Sequence, residues 1–114
     1  MKYMMFVVVD PDAAAEAEPS GDELTIQQWQ ADVDAPGKRV TGDALRPVSE
    51  AITVRVSHGE VLVTDGPYTE SKEWIAGFDI LECDNLDEAI AIASRHPQAN
   101  GGKLELRPFR VWDE

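Results

Sequence analysis

Asp65, Tyr68 and Asp79 are the residues whose type and setting suit them to handle a proton, and Arg55, Lys72 and Arg107 are cations suited to hold an anionic or phenolic substrate. Asp65 opens the run Asp65-Gly66-Pro67-Tyr68-Thr69-Glu70-Ser71-Lys72-Glu73. An aspartate before glycine serves a turn when its carboxylate accepts backbone N–H groups. The same carboxylate, lifted by burial, becomes a general base. Tyr68 reads either as a proton donor or as a plug over the core. Glu70, Lys72 and Glu73 either line a pocket or form a charge network that holds the loop; a lysine beside two carboxylates favours the structural role. Asp79 is the sharper anomaly, because it interrupts an otherwise apolar strand face. Pointing into the core it requires a partner, for which Arg107 or Arg55 would serve. At an open rim it needs only water.

The rest of the chemical inventory is sparse. No phosphate-binding glycine loop, dinucleotide fingerprint, zinc-protease helix motif or serine nucleophile elbow is present. His58 falls at a turn, and His96 falls at a helix C-terminus, where a cationic imidazole complements the dipole. Neither has the neighbours a metal centre needs, so no metal and no cofactor is expected. The single cysteine, Cys83, allows no intrachain disulfide. Against 22 acidic residues stand 10 lysines and arginines, a net charge of −12. That balance argues against direct contact with nucleic acid, which needs clustered positive charge, and against an anionic membrane surface. No apolar run approaches the roughly 20 residues of a membrane helix. The apolar start runs into Asp10-Pro11-Asp12 without a small-residue cleavage pattern, so it reads as a strand, and the expected location is the cytoplasm.

At 114 residues the chain fits one domain, spanning 1–114. Residues 3–9 are apolar on both faces, the mark of a central strand covered twice. A chain this short can supply one cover with helices; the other falls to a second subunit, which points to a homodimer. Residues 10–21 read as a loop with one helical turn between Pro11 and Pro19. Ser20 with Glu23 forms a capping-box pattern before a helix over about 21–34, with Ile26, Trp29 and Val33 on its inner stripe. A short strand is predicted over 40–45. Residues 52–57 and 60–64 alternate strictly around His58-Gly59 and predict a β-hairpin. A strand over 74–83 follows, with Trp74, Ala76, Phe78 and Ile80 on one face and Ile75, Gly77, Asp79 and Leu81 on the other. Asn85 with Glu88 caps a second helix over 86–95, and the last strand is 103–111. With the hairpin set aside, the order is the α+β, ferredoxin-like β-α-β-β-α-β unit.

The run Val63-Thr64-Asp65-Gly66-Pro67-Tyr68, then Glu70, Lys72-Glu73 and Gly77-Phe78, resembles the DGPF-type branch of the YCII-related family. Met1 to Met5, Gly42 and Leu45, Thr53-Val54-Arg55, Leu86 to Ile90, Pro97, Gly102, Glu105 and Arg107-Pro108 match in kind and order. The resemblance implies ferredoxin-like monomers paired sheet to sheet as a dimeric α/β barrel, with a pocket between the sheet and its covering elements. Tyr68 stands where the family has phenylalanine, and Asp79 where an aromatic or apolar residue is usual. Some relatives carry a His-Asp pair with the histidine in the first helix, and a dehydrochlorinase is known in the wider family; the first helix here holds no histidine, so that chemistry is not carried over. Two functions follow as expectations. One is a small-molecule enzyme or binding protein with a pocket near the dimer interface. The other is a non-catalytic module that associates with a protein partner, as the occurrence of some relatives beside sigma factors of the extracytoplasmic-function type implies.

Overall fold

The computed structural model describes residues 1–18, 23–67 and 72–112. Strand β1 (Lys2–Val9) leads into a short helix α1 (Pro11–Glu16), followed by α2 (Ile26–Asp34) and β2 (Arg39–Ala44). A 3₁₀ turn at Val48–Glu50 precedes the hairpin of β3 (Ile52–Ser57) and β4 (Glu60–Asp65). Then come β5 (Trp74–Glu82), α3 (Leu86–Ser94), a 3₁₀ turn at Pro97–Ala99 and β6 (Gly102–Pro108). Two starts differ from expectation for local reasons. Pro11 occupies the first turn of α1, and the Asp10 carboxylate accepts from the backbone N–H of Asp12 and Ala13, so a helix forms where a loop with one turn was expected. Helix α2 begins later, because Thr25 and Gln28 make the capping box: each side chain accepts from the other's backbone N–H, at 3.1 and 2.9 Å. Ser20 lies outside the described residues.

The four-stranded sheet runs β2-β5-β1-β6, with every neighbouring pair antiparallel. This is the strand order of a ferredoxin-like α+β fold. Helices cover one face. Tyr3 and Met5 of β1, with Leu81 and Cys83, meet Trp29 and Val33 of α2 and Ala89 and Ala93 of α3. The small side chains at 89 and 93 let α3 lie close on the strands. Burying Trp29, Met5 and Leu81 completely contributes about 1.5–3 kcal/mol for each. Pairing of β1 with β5 shifts between Val7 (opposite Gly77) and Val8 (opposite Ile75), leaving Ala76 as the extra residue of a bulge. Ile75 therefore joins the side of Val8, Phe78 and Ile80 instead of that of Gly77 and Asp79, as simple alternation would have it. That second face, with Met4, Phe6 and Val8 on β1, has no helix over it among the described residues.

The hairpin forms its own two-stranded sheet. His58 and Gly59 both have positive φ, 50° and 79°, the two-residue I′ turn whose twist suits flanking strands. Its register sets Val54 opposite Val63 and Val56 opposite Val61. The molecule measures 50 × 43 × 20 Å with a radius of gyration of 16.4 Å, against about 13 Å for a compact chain of this length. A thickness of 20 Å holds one sheet and one helical layer, so the hairpin projects beside the sheet and folds over neither face.

Candidate functional site

Asp79 sits in the middle of β5, opposite Met5, with its side chain turned toward the helices and 5% exposed. A carboxylate there requires a partner. It is Arg39, brought across by the pairing of β2 with β5. Arg39 Nε donates to Asp79 Oδ1 at 2.7 Å, Nη2 donates to the Gly42 carbonyl at 3.0 Å, and Nη1 donates to both oxygens of Asp34 at 3.3 Å. Gly42 makes room for this: a side chain there would overlap the Asp79 carboxylate and come within 2.6 Å of the Phe78 carbonyl. Burial pushes the Asp79 pKa up from 3.8, against the opposing pull of the Arg39 hydrogen bond and charge. The same hydrogen bond raises the Arg39 pKa. Among the described residues Asp79 Oδ2 has no hydrogen-bond donor, and it retains solvent contact.

His96 caps the 3₁₀ turn that follows α3. Its Nδ1 accepts from the Gln98 backbone N–H at 2.9 Å, which places the ring proton of the neutral form on Nε2. The ring packs edge-on against Trp29, with centroids 4.7 Å apart, and Trp29 Nε1 donates to the Ile92 carbonyl at 2.9 Å. Burial lowers the His96 pKa to about 4. The cationic imidazole expected at a helix C-terminus is thereby corrected: at neutral pH the ring is uncharged, because its desolvation outweighs the helix-end field.

Asp79 and His96 line one cleft of about 260 Å³ between the sheet, α2 and the Pro97–Ala99 turn. Val7, Ile26, Ala44 and Pro97 give it apolar walls, and Gln30, Arg39 and Gln98 add polar groups; Asp43 and Phe78, paired with each other, reach it through their backbone, their side chains lying on the other face of the sheet. The arrangement sets a buried carboxylate acceptor and a neutral N–H donor along one half-open cleft with apolar walls. Such a pairing can take a proton from one atom of a bound molecule while donating a hydrogen bond to another.

The other candidates do not gather there. Asp65 ends β4, exposed, opposite Ile52. The hydrogen bonds that close the hairpin base run from Gly66 N–H to the Ala51 carbonyl at 2.7 Å and from Thr53 Oγ1 to the Gly66 carbonyl at 2.7 Å. Arg55 is exposed on the hairpin, opposite Leu62. Arg107 pairs with Met4 and so lies on the sheet face opposite to Asp79. Neither arginine is the partner of Asp79; the sequence reading missed Arg39. Lys72 is exposed, 4.0 Å from Asp12 Oδ2, and Glu73 forms an ion pair with Lys103. Tyr68 and Glu70 lie outside the described residues. Of the proton-handling candidates among the described residues, Asp65 and Asp79, Asp79 is the one the cleft contains. His96 had a legible signal, a histidine before proline just past a helix, where its ring can cap the next turn. Arg39 had none beyond its place after the Pro36-Gly37 turn.

A model of the YCII-related domain matches residues 1–113 of the chain. Uncharacterized protein R00369 of Rhizobium meliloti (strain 1021) is 41% identical over 70 residues, which cover 60% of this chain and 56% of that protein. The matched part thus spans little more than half of that relative's length.

Proposed function

The chain belongs to the YCII-related family, and we propose that it binds a small organic molecule in the cleft of Asp79 and His96 and is equipped to move a proton on it. One observation carries this reading: two titratable side chains, 5% and 6% exposed, line the same apolar-walled cleft. Buried groups with shifted pKa values in a concave site are the usual mark of a ligand-handling centre. Asp79 Oδ2 is the acceptor, Arg39 holds the carboxylate in place through Oδ1, and His96 Nε2–H is the donor. The test is an NMR screen of small polar organics, read at the side-chain amides of Gln30 and Gln98 and at the His96 ring. Molecules that bind as proposed shift these signals in the native protein and much less in Asp79→Asn. Equal shifts in both proteins, or no shift with any molecule, would sink the reading.

The same reading includes a homodimer. Its support is the uncovered sheet face with Met4, Phe6 and Phe78, together with the apolar side of the hairpin. There Ile52, Val54, Val56, Val61 and Val63 are each between 61% and 67% exposed. A lone two-stranded hairpin is marginal in water, and contiguous apolar patches of this kind are usually interaction surfaces. A second copy supplies both covers at once.

A further inference from the structure

The charges around the cleft cancel, and that points to the kind of molecule it takes. Arg39 Nε meets Asp79 Oδ1 at 2.7 Å, and each side chain neutralises the other. Asp34, at the other end of the guanidinium, is half-exposed, where water weakens its field. Asp43 turns to the far side of the sheet with its pairing partner Phe78, so no other charged side chain among the described lining residues faces the cleft. A charged ligand would leave water for the walls of Val7, Ile26, Ala44 and Pro97. It would find no unpaired opposite charge to offset that loss. What the cleft does offer is hydrogen bonding of both senses. Asp79 Oδ2 has no donor and His96 Nε2–H has no acceptor among the described residues, although the two residues are only 5% and 6% exposed. Gln30 and Gln98 add carboxamides that can serve either way. Water can serve each of these atoms singly; one molecule that carries both a donor and an acceptor serves them together and releases that water.

We propose that the cleft takes an uncharged molecule of the amide or lactam class, with its N–H at Asp79 Oδ2, its carbonyl at His96 Nε2–H and its apolar body against Val7, Ile26 and Pro97, and that it rejects ions of the same shape. At about 260 Å³ the space falls short of the roughly 300–1,000 Å³ that drug-sized ligands occupy, so the molecule is small. This rests on the reading of the cleft as a ligand site. It replaces the anionic substrate that Arg55, Lys72 and Arg107 were expected to hold, none of which lines the cleft.

Four probes of one heavy-atom shape decide the matter: benzamide, benzamidinium, benzoate and acetophenone. The first is neutral with a donor and an acceptor. The next two carry a positive and a negative charge at neutral pH, and the last keeps the carbonyl without the donor. Each is titrated into the full-length protein, and shifts are followed at the Gln30 and Gln98 side-chain amides, the His96 ring and Arg39 Nε. Benzamide is expected to bind about tenfold or more tighter than either ion, and several-fold tighter than acetophenone, which leaves Asp79 Oδ2 unpaired. Asp79→Asn keeps the side-chain shape and the bond to Arg39 but puts an N–H donor in place of Oδ2. It should weaken benzamide and erase its advantage over acetophenone. If benzamidinium or benzoate binds at these residues as tightly as benzamide, the uncharged class falls while the ligand site stands. If acetophenone matches benzamide in the native protein, the donor requirement falls and the amide class with it. If none of the four shifts these signals, the ligand site itself falls.

Discussion

Asp79 and Val54 are mid-strand residues in alternating strands, and the fold treats them in opposite ways. The charged one is 5% exposed; the aliphatic one is 61% exposed. On β5 the alternation is backed by helices, so every residue on that side is enclosed, and a carboxylate among them is tolerated only because Arg39 reaches it. On β3 and β4 the alternation is equally clean, yet none of the described residues lies against the apolar side. A period of two says which residues share a face; it does not say what lies opposite that face. The helix-backed layer obtains its cover from α2 and α3, whereas the apolar side of the hairpin is left exposed.

The comparison breaks most severely if the support of Asp79 is removed. Arg39→Gln leaves a buried carboxylate without its cation and should cost about 3–5 kcal/mol at neutral pH, toward the lower end because Oδ2 keeps solvent contact. The sign of the pH dependence follows from the raised Asp79 pKa. Burial lifts it above 3.8, and loss of Arg39 lifts it further. The penalty is therefore absent where the acid is neutral in both folded and unfolded chains, and it grows as pH rises through the folded value. Denaturant melts from acid to neutral pH check this; a deficit that does not change with pH would show that the ion pair is not its source. His96 gives the next effect, with the opposite sign. Its pKa is lowered from 6.5 to about 4, so its contribution is complete above 6.5 and is lost as pH falls through about 4. The loss is on the order of 2–3 kcal/mol. His96→Gln should flatten the native protein's decline over that window; an equally steep decline in the variant would place its origin elsewhere.

The sheet and the hairpin were legible because strand alternation and the His58-Gly59 turn are local signals. The start of α2 was less so, since Ser20 with Glu23 and Thr25 with Gln28 offer competing caps five residues apart; the second closes at both bonds, and Ser20 lies outside the described residues. Asp79 was legible as an interruption in an apolar face. Its partner was not: Arg39 lies 40 residues away and is brought in by strand register, with Gly42 clearing the space. His96 was misread in charge because position on a helix is visible in sequence, while enclosure beside Trp29 is not. Arg55 and Arg107 have suitable chemistry, but the hairpin carries one away from the cleft and pleating turns the other to the far side of the sheet.

The smallest of these effects tests the hairpin itself. Val54→Thr with Val63→Thr keeps side-chain shape and strand propensity and replaces two methyl groups by hydroxyls on facing residues. On a face that stays in water, such a double change moves stability by no more than about 0.5 kcal/mol. On a face covered by a second copy, each hydroxyl loses water without gaining a partner. The dimer dissociation constant should then rise about tenfold or more, which is about 1.4 kcal/mol, and sedimentation should show the shift toward monomer at micromolar protein. The paired control is Arg55→Gln with Thr64→Val, on the opposite side of the same hairpin, which leaves the apolar side and the Thr53 hydrogen bond intact and should leave the dimer intact. If both double variants behave alike, the exposed valines are not an interface, and the difference between the two regions reduces to one of helix cover alone.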